Sequence, residues 1–210
     1  MPRFADQSVT AFLDALASPE PTPGGGTASA MGGAMGTALL MMVAGLPRTR
    51  ANTDEERARL HETRTALAAL RDRLVDLADV DADAYRQVMA AYRLPKTSDE
   101  EKAARRQAVQ QALGAATESP LSALKAVAEA GRASRIVAVH GNRSAVSDVR
   151  VALELLEAAA AGAAANVETN LVSLDDESYR KATASAVLDL TNALTEDVAA
   201  ARTALSPANT

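Results

Sequence analysis

The sequence predicts an all-α fold, an up-and-down bundle of about five long helices preceded by a short one. The chain is rich in Ala, Leu, Glu and Arg, which favour helices, and only 2% of its residues are aromatic. No segment alternates apolar and polar residues with the two-residue period of a half-buried strand. Long amphipathic stretches joined by short connections indicate helices that run antiparallel to their neighbours.

Length and composition restrict the classes of protein to which the chain can belong. With 210 residues it has the length of one domain, which we place over residues 1–210. It contains no cysteine and two histidines, so we predict no disulfide, no Cys nucleophile and no metal site. Interleaved charges and few aromatics argue against nucleic-acid binding. The N-terminus lacks the apolar run of a signal peptide, which together with the absence of cysteine points to the cytoplasm.

The first two predicted helices differ sharply in polarity. A short amphipathic helix runs through residues 9–16 and ends at Ser18-Pro19. After a loop rich in Pro and Gly, the segment 27–46 carries no charge and is long enough to cross a membrane. Gly, Ser and Thr dilute this segment, however, and the other helices carry ordinary charged faces. We therefore predict a helix at the centre of a bundle, packed closely against a second small-residue stretch at 158–165, and no membrane span.

The remaining helices follow from capping residues and prolines. A long helix is predicted over residues 53–92, with three acidic residues in the first turn where the helix dipole favours them. A capping-box pattern starts the next helix, 98–118, and a separate helix, 120–140, is expected to begin at its proline. Ser147-Asp148 has the pattern of an N-cap for a fifth helix, and the last helix is predicted over residues 177–205.

An acidic residue interrupts the apolar seam of the helix predicted at 53–92. Leu60, Leu67, Leu74 and Val88 fall on a seven-residue repeat, and Asp81 occupies the position at which another leucine is expected. A buried carboxylate is costly unless it is paired or hydrogen-bonded, and its surroundings shift its pKa, as in many acid–base sites. Asp81 is therefore either a functional group or a structural carboxylate that caps a neighbouring loop.

Two further patterns allow both a structural and a functional interpretation. Asn166 and Asn170 lie four residues apart and share one helix face, so they either join helices by hydrogen bonds or bind a ligand. The run Gly24–Gly26 before a helix has the pattern of an anion site at a helix N-terminus. Taken alone, these glycines favour a chain reversal in which two backbone segments come close.

Together these motifs resemble the formiminotetrahydrofolate cyclodeaminase / methenyltetrahydrofolate cyclohydrolase family. The resemblance extends over nearly the whole chain, from about Val9 to Asp176, and is to the free-standing bacterial enzymes and to the C-terminal part of bifunctional formiminotransferase-cyclodeaminases. The matching motifs are, in chain order, Pro21-Thr22-Pro23-Gly24-Gly25-Gly26, Asp81 with Ala84-Tyr85, Leu94-Pro95-Lys96, Gly141-Asn142, Ser147-Asp148, Asn166-Val167 and Asn170-Leu171.

The resemblance implies a homodimeric bundle that binds a folate in a cleft and uses no cofactor beyond the tetrahydrofolate substrate. A cyclohydrolase would hydrolyse 5,10-methenyltetrahydrofolate to 10-formyltetrahydrofolate. A cyclodeaminase would convert 5-formiminotetrahydrofolate to 5,10-methenyltetrahydrofolate and ammonia. Both reactions pass through a tetrahedral carbon and need proton transfer beside a cation, which suits a carboxylate.

The resemblance also implies which residues form the site. Asp81 is the implied catalytic carboxylate and Asp148 the second candidate. Asparagines would hold the pterin or one-carbon end, while the glycine run and two basic residues would meet the carboxylates of the glutamate tail. The implied substrate-binding residues are Thr22, Gly24, Gly25, Gly26, Lys96, Asn142, Arg143, Ser147, Asn166 and Asn170.

One segment departs from the family pattern and leaves two alternatives open. After the small-residue helix many members carry an Asn-Leu-Thr, a Gly-Lys and a Tyr, whereas residues 45–51 here read Gly-Leu-Pro-Arg-Thr-Arg-Ala. Arg48 or Arg50 would replace the lysine as an anion contact. The alternatives to an enzyme are a non-catalytic helical dimer that binds a folate-like or other small anion, and a purely structural bundle. A structural bundle would be more stable with a leucine in place of Asp81.

Overall fold

A computed structural model describes residues 3–206, so both ends of the predicted domain lie outside the described part of the chain. Within it the only regular secondary structure is helical, which confirms the predicted all-α bundle of five long helices and a short one. Two 3-10 turns, Phe4–Asp6 and Arg143–Ala145, accompany the α-helices. The helices are α1 (Val9–Ala17), α2 (Gly25–Gly45), α3 (Asp54–Tyr92), α4 (Asp99–His140), α5 (Val146–Leu171) and α6 (Glu177–Ala204).

Side-chain caps start three of the long helices, and of these the capping box at Ser98 was predicted. Thr53 and Ser98 each form a capping box with the glutamate three residues later, and the Asp176 side chain accepts from the Tyr179 N–H at 2.9 Å. The predicted N-cap of α5 is wrong. α5 begins at Val146 after an Ala145 N-cap, because the Arg143–Ala145 turn already leads the chain into the helix.

Four helices form a ring around the core. α2 packs along α3 and α5, α4 closes the ring between α3 and α5, and α6 covers the groove between α4 and α5. The apolar seam of α3 points into this core, as its seven-residue repeat predicts. The largest side chains without solvent exposure are Leu40, Leu67, Leu74, Leu124, Leu153 and Leu156.

The small residues of α2 allow close packing at the centre of the ring. A Cβ on Gly33 would lie 2.8 Å from Val127 Cγ2, and one on Gly36 would lie 2.9 Å from the Ala152 carbonyl oxygen. The Gly33 Cβ would also lie 3.5 Å from Ala159 Cβ, so the predicted close contact between α2 and the stretch 158–165 of α5 is confirmed. In the described residues α2 alone has the length and apolarity of a membrane span, properties that the buried helix of a bundle shares.

α4 is one continuous helix, so the predicted break at Pro120 is wrong. Proline has no N–H, and in a helix the carbonyl four residues earlier, here that of Ala116, loses its backbone donor. Asn170 on α5 replaces this donor, because its Nδ2 donates to the Ala116 oxygen at 2.9 Å. The helix therefore passes through the proline with its exposed carbonyl satisfied from a neighbouring helix.

This replacement predicts a selective effect on stability. Asn170→Ala is expected to lower the free energy of unfolding by about 1–3 kcal/mol, because it leaves the buried Ala116 carbonyl without a donor. Asn166→Ala is the matched control. Asn166 Nδ2 donates to the Gly162 carbonyl within its own helix at 2.8 Å, so its removal does not affect the carbonyl that Pro120 leaves without a backbone donor.

Urea unfolding of both variants, alone and combined with Pro120→Ala, measures the coupling. Pro120→Ala restores the backbone donor and is expected to reduce the cost of Asn170→Ala. An equal cost for the two asparagine variants, or no coupling to Pro120, would show that the amide does not serve the proline.

α3 and α4 continue past the other helices as a hairpin arm. The bundle end at which α2 begins and α5 ends is called the proximal end, and the opposite end the distal end. α3 extends from Asp81 to Tyr92, roughly 17 Å at the rise of an α-helix, before α4 returns from Asp99. Lys96 lies in the connection at the tip of this arm.

α1 is amphipathic as predicted but buries no residue against its own bundle. Val9 is 77% exposed and Leu13 is 56% exposed. The segment before α1 is anchored to α3, since the Phe4 N–H donates to Asp79 at 2.8 Å and Arg3 pairs with Asp76 and Asp79. α1 is therefore held beside the proximal end with apolar side chains in solvent.

Candidate functional site

A cavity of about 240 Å³ opens at the proximal end, where the loop before α2 meets the other three ring helices. The glycine run and Thr22 form one wall, α3 contributes Asp81, and α5 contributes the two asparagines. The cavity is lined by Pro21, Thr22, Gly24, Gly25, Gly26, Asp81, Tyr85, Val88, Ala116, Asn166 and Asn170. The fold thus gathers the Pro21–Gly26 motif, Asp81 and the two asparagines into one site.

Asp81 is half-buried in this cavity and has no Lys or Arg partner among residues 3–206. Burial raises the pKa of its carboxyl, and hydrogen bonds from the side chain and backbone N–H of Thr27 partly oppose that rise. The Thr27 hydroxyl is fully buried and donates to Asp81 Oδ2 at 3.0 Å. A carboxylate without a counter-ion, held in one orientation, is suited to accept a proton or to face a cationic ligand.

The glycine run brings the start of α2 against this carboxylate. A Cβ on Gly26 would lie 2.3 Å from Asp81 Oδ1, closer than any side chain tolerates, so only glycine fits there without moving the carboxylate. Gly24 is the N-cap of α2 and provides no capping side chain. The free N–H groups at the start of α2 therefore border the cavity.

The two asparagines leave acceptors for a ligand. The Nδ2 atom of each donates to a backbone carbonyl, that of Gly162 for Asn166 and that of Ala116 for Asn170. Neither Oδ1 atom has a hydrogen-bond partner within residues 3–206. The interpretation that these amides join helices is thus correct for Asn170, whose Nδ2 links α5 to α4, and wrong for Asn166, whose Nδ2 bonds within α5. The amide oxygens of both remain available at the cavity.

The other residues implied by the resemblance lie elsewhere in the chain. Asp148 and Asn166 are separated along α5 by roughly 27 Å, which places Asp148 at the distal end with Asn142, Arg143 and Ser147. Lys96 lies at the tip of the arm. No contact among residues 3–206 joins these residues to the cavity, and their role in substrate binding stays a prediction.

At the distal end the loop between α2 and α3 and the loop between α4 and α5 are joined by hydrogen bonds. The Asn142 Nδ2 donates to the Pro47 carbonyl at 2.6 Å, and Thr49 forms an isolated antiparallel bridge with Asn142. Arg50 donates to the Ala138 and Gly141 carbonyls at the end of α4, and burial lowers the pKa of its guanidinium. The Arg50 guanidinium is thus already hydrogen-bonded to backbone carbonyls.

Arg48 is the more accessible of the two arginines in the departing segment. It is exposed and adopts a left-handed backbone conformation with a φ of 57°. It forms no salt bridge or side-chain hydrogen bond with the described residues. Arg48 therefore remains the candidate anion contact of this segment.

Two site residues received no role from the sequence. Thr27 is the partner of Asp81, but the two are 54 residues apart, so no local pattern joins them. Tyr85 follows Asp81 by one helical turn and lines the cavity with a partly exposed ring. The spacing of four residues from Asp81 on an α-helix and the place of Tyr85 in a family motif were the signals that could have given it a role.

The sequence profile of the formiminotransferase-cyclodeaminase family matches residues 8–189. This chain belongs to that family. It is 41% identical over 174 residues to the methenyltetrahydrofolate cyclohydrolase of Methylorubrum extorquens, which covers 83% of this chain and 84% of the relative. Its family membership, predicted from the motifs, is thereby confirmed.

A bifunctional relative and a solved structure agree with this assignment. The formimidoyltransferase-cyclodeaminase of Gallus gallus is 32% identical over 180 residues, which are 86% of this chain but 33% of that protein. This chain therefore spans about a third of the bifunctional relative. The crystal structure of formiminotetrahydrofolate cyclodeaminase from Thermotoga maritima has a TM-score of 0.85 with 28% identity and covers 96% of both chains.

The hydrogen bond from Thr27 predicts a measurable change in the titration of Asp81. Thr27→Val removes the donor but keeps the shape, so the pKa of Asp81 is expected to rise above its already raised value. Thr27→Ser keeps the hydroxyl and is the matched control. Carboxyl ¹³C NMR titration measures the pKa, and equal values in the two variants would contradict the role of the hydroxyl.

Proposed function

We propose that this protein is a one-carbon folate enzyme that hydrolyses 5,10-methenyltetrahydrofolate to 10-formyltetrahydrofolate. The observation that carries the proposal is Asp81, a carboxylate without a counter-ion in a cavity at the end of the bundle. The 41% identity to a methenyltetrahydrofolate cyclohydrolase supports this reaction. A cationic methenyl group supplies the positive charge that the cavity lacks.

The chemistry requires a proton acceptor beside the methenyl carbon. Asp81 takes a proton from water as the water oxygen forms a bond with that carbon, giving a tetrahedral intermediate. The bond from the carbon to N5 then breaks, and Asp81 returns its proton to N5. The remaining hydroxyl proton leaves to solvent, so that a formyl group stays on N10.

The other cavity residues fit the two ends of such a substrate. The free amide oxygens of Asn166 and Asn170 accept from the N–H groups of a pterin, and the Tyr85 ring packs against its plane. With about 240 Å³, the cavity fits a bicyclic head rather than a whole folate. The p-aminobenzoyl-glutamate part then extends out of the cavity.

Formiminotetrahydrofolate cyclodeaminase activity is the second candidate. It is supported by the solved cyclodeaminase with a TM-score of 0.85 and by the 32% identity to the Gallus gallus protein. In that reaction N10 attacks the formimino carbon and ammonia leaves from the tetrahedral intermediate. Asp81 would carry the N10 proton to the leaving nitrogen, so both activities use the same carboxylate.

We also propose the molecular context of the reaction. The protein acts as a cytoplasmic homodimer, without membrane or nucleic-acid partners and without a cofactor other than its tetrahydrofolate substrate. The absence of cysteine and the presence of only two histidines support a reaction without a protein-bound metal.

Turnover of the two substrates tests the proposal. Purified protein is added to 5,10-methenyltetrahydrofolate at mildly acidic pH, where spontaneous hydrolysis is slow, and the loss of absorbance is followed. A protein-dependent rate is expected. The formimino substrate is assayed separately for ammonia release. No turnover of either substrate would refute the enzyme proposal, and folate binding without turnover would support the non-catalytic alternative.

A further inference from the structure

A groove of about 720 Å³ runs between α3 and α4, on the side of the ring away from α2 and α5. Its volume is three times the 240 Å³ of the cavity at Asp81, with which it shares no lining residue. One wall extends from Arg59 to Leu70 on α3, roughly 17 Å along the helix, and the other extends from Glu129 to His140 on α4. The groove therefore has the dimensions of a site for a small organic molecule.

The floor of this groove is apolar. Leu70 is buried and Ile136 is partly buried, while Ala66 and Ala133 leave space between the two helices because their side chains are small. Thr63 also lines the groove, and its hydroxyl donates to the Arg59 carbonyl at 2.8 Å. A flat ligand body that lies on this floor removes apolar surface from water, which favours binding.

Charged side chains form the rim of the groove. Arg59 on α3 and Arg132 on α4 are exposed and form no salt bridge within the described part of the chain. Glu129 is exposed and is likewise unpaired among the described residues. Arg135, in contrast, pairs with Asp197 at 3.1 Å. The unpaired rim charges are thus two guanidinium groups and one carboxylate, a local positive excess in a chain with a net charge of −5.

The two unpaired arginines lie close enough to bind one anionic group together. His140 Nδ1 lies 4.0 Å from Glu56 Oε1, and this contact gives the register of the two antiparallel helices. Arg59 lies three residues after Glu56, and Arg132 lies eight residues before His140. Their positions along the groove therefore differ by five residues, roughly 8 Å at the rise of an α-helix. Two long side chains can meet across that separation.

These groups together define the chemistry of a ligand. Guanidinium groups bind phosphate oxygens with paired hydrogen bonds, and a phosphate monoester carries a charge of about −1.5 to −2 at neutral pH. The Glu129 carboxylate accepts hydrogen bonds from hydroxyl or amino groups and repels a second anionic group. A nucleoside monophosphate combines one phosphate, hydroxyl and amino donors, and a flat base that matches the apolar floor.

We propose that the groove between α3 and α4 binds a nucleoside monophosphate, whose phosphate is held between Arg59 and Arg132. The base lies on the apolar floor against Ala133 and Ile136. Glu129 accepts hydrogen bonds from the ribose hydroxyls or from an amino group of the base. The site is separate from the Asp81 cavity, so this inference does not rest on the proposed function.

Calorimetric titration of the full chain with AMP, GMP, CMP and UMP tests the proposal. At least one of the four is expected to bind with a Kd below about 1 mM. Inorganic phosphate and the corresponding nucleoside are each expected to bind at least about tenfold more weakly, because one lacks the base and the other lacks the phosphate. Arg59→Gln and Arg132→Gln are each expected to raise the Kd of the nucleotide by a factor of about 10 or more.

Two further variants separate the groove from a general effect of charge. Arg73 is exposed on α3, lies outside the groove lining and forms no salt bridge with the residues that the structure describes, so Arg73→Gln is the matched control and is expected to leave the Kd unchanged. Glu129→Gln removes a negative charge beside the arginines. It is expected to raise the affinity for inorganic phosphate while not improving that for the nucleotide.

The position of the base is tested by NMR without any substitution. Ile136 is the only isoleucine of the chain, so protein labelled with ¹³C at the isoleucine δ1 methyl gives one signal from the groove floor. The ring of a bound base is expected to shift this signal during the nucleotide titration. Inorganic phosphate is expected to shift it much less.

Three results would each overturn the proposed site. The first is no binding of any of the four nucleotides below about 1 mM. The second is an equal loss of affinity in Arg59→Gln and Arg73→Gln, which would show attraction by overall charge. The third is an unshifted Ile136 signal at saturating nucleotide, which would place the ligand elsewhere. Since none of these measurements involves turnover, failure of the proposed function would leave them unaffected.

Discussion

Asp81→Asn is expected to lower kcat by a factor of about 10²–10⁴ while leaving the fold intact. The amide has the size of the carboxylate and its oxygen still accepts from Thr27, but it takes no proton from water and does not balance the charge of a methenyl group. Asp83→Asn is the matched control, because Asp83 is two residues away, exposed and paired with Arg86. Steady-state kinetics and circular dichroism of both variants measure the effect.

The same substitution is expected to stabilise the protein in a pH-dependent manner. Burial raises the pKa of Asp81 in the folded state, so the carboxylate costs stability as the pH rises from the usual Asp value through the raised one. Asp81→Asn removes this cost and is expected to have a higher Tm than the wild type at neutral pH. The difference is expected to vanish at a pH below the unfolded-state pKa.

Either of two results would contradict this account of Asp81. Wild-type kcat in Asp81→Asn would exclude the carboxylate from proton transfer. A Tm difference that is the same at acidic and neutral pH would show that the carboxylate is not disfavoured by burial. A loss of activity together with a gain of stability is typical of a residue kept for function at a cost in stability.

Gly26→Ala is expected to lower kcat/KM by a factor of about 10² with little change in Tm. The new Cβ would lie 2.3 Å from Asp81 Oδ1 and 2.7 Å from Asp81 Cγ, so the carboxylate must rotate away from its present position. The displaced group is the end of a side chain, so the fold can absorb the change. A displacement of about 1 Å at a reacting group is enough for such a loss of rate.

Gly114→Ala provides the matched control for this prediction. Gly114 also lies within a helix, but a Cβ added there meets no atom within 4 Å. Its activity is expected to equal that of the wild type, with a Tm equal or slightly higher because alanine favours helices. If Gly26→Ala and Gly114→Ala were equally active, the contact between α2 and Asp81 would have no part in catalysis.

The sequence predicted features whose causes are local. The capping box at Ser98 acts within one helical turn, and the seven-residue repeat that exposes Asp81 as an exception is a property of a single helix. The motifs that identify the family are short segments read in order. All of these were visible without knowledge of which helices meet.

The failures of prediction have a common physical cause. Pro120 was expected to separate two helices because proline removes a donor, yet α4 continues because Asn170 supplies that donor from 54 residues away. Ser147-Asp148 was expected to cap α5, but the preceding 3-10 turn starts that helix earlier. In both cases a neighbouring element satisfied backbone groups that the local pattern left open.

The sequence by itself determined the all-α class, the family and the anomalous carboxylate, because these depend on composition, periodicity and short motifs. Only the tertiary structure showed that Asp81 has Thr27 as its partner and shares its cavity with Asn166 and Asn170, and that Asp148 lies roughly 27 Å from these asparagines at the other end of the bundle. These facts depend on the packing of helices that are distant in sequence. The periodicity of one helix does not specify which residues of another helix will contact it.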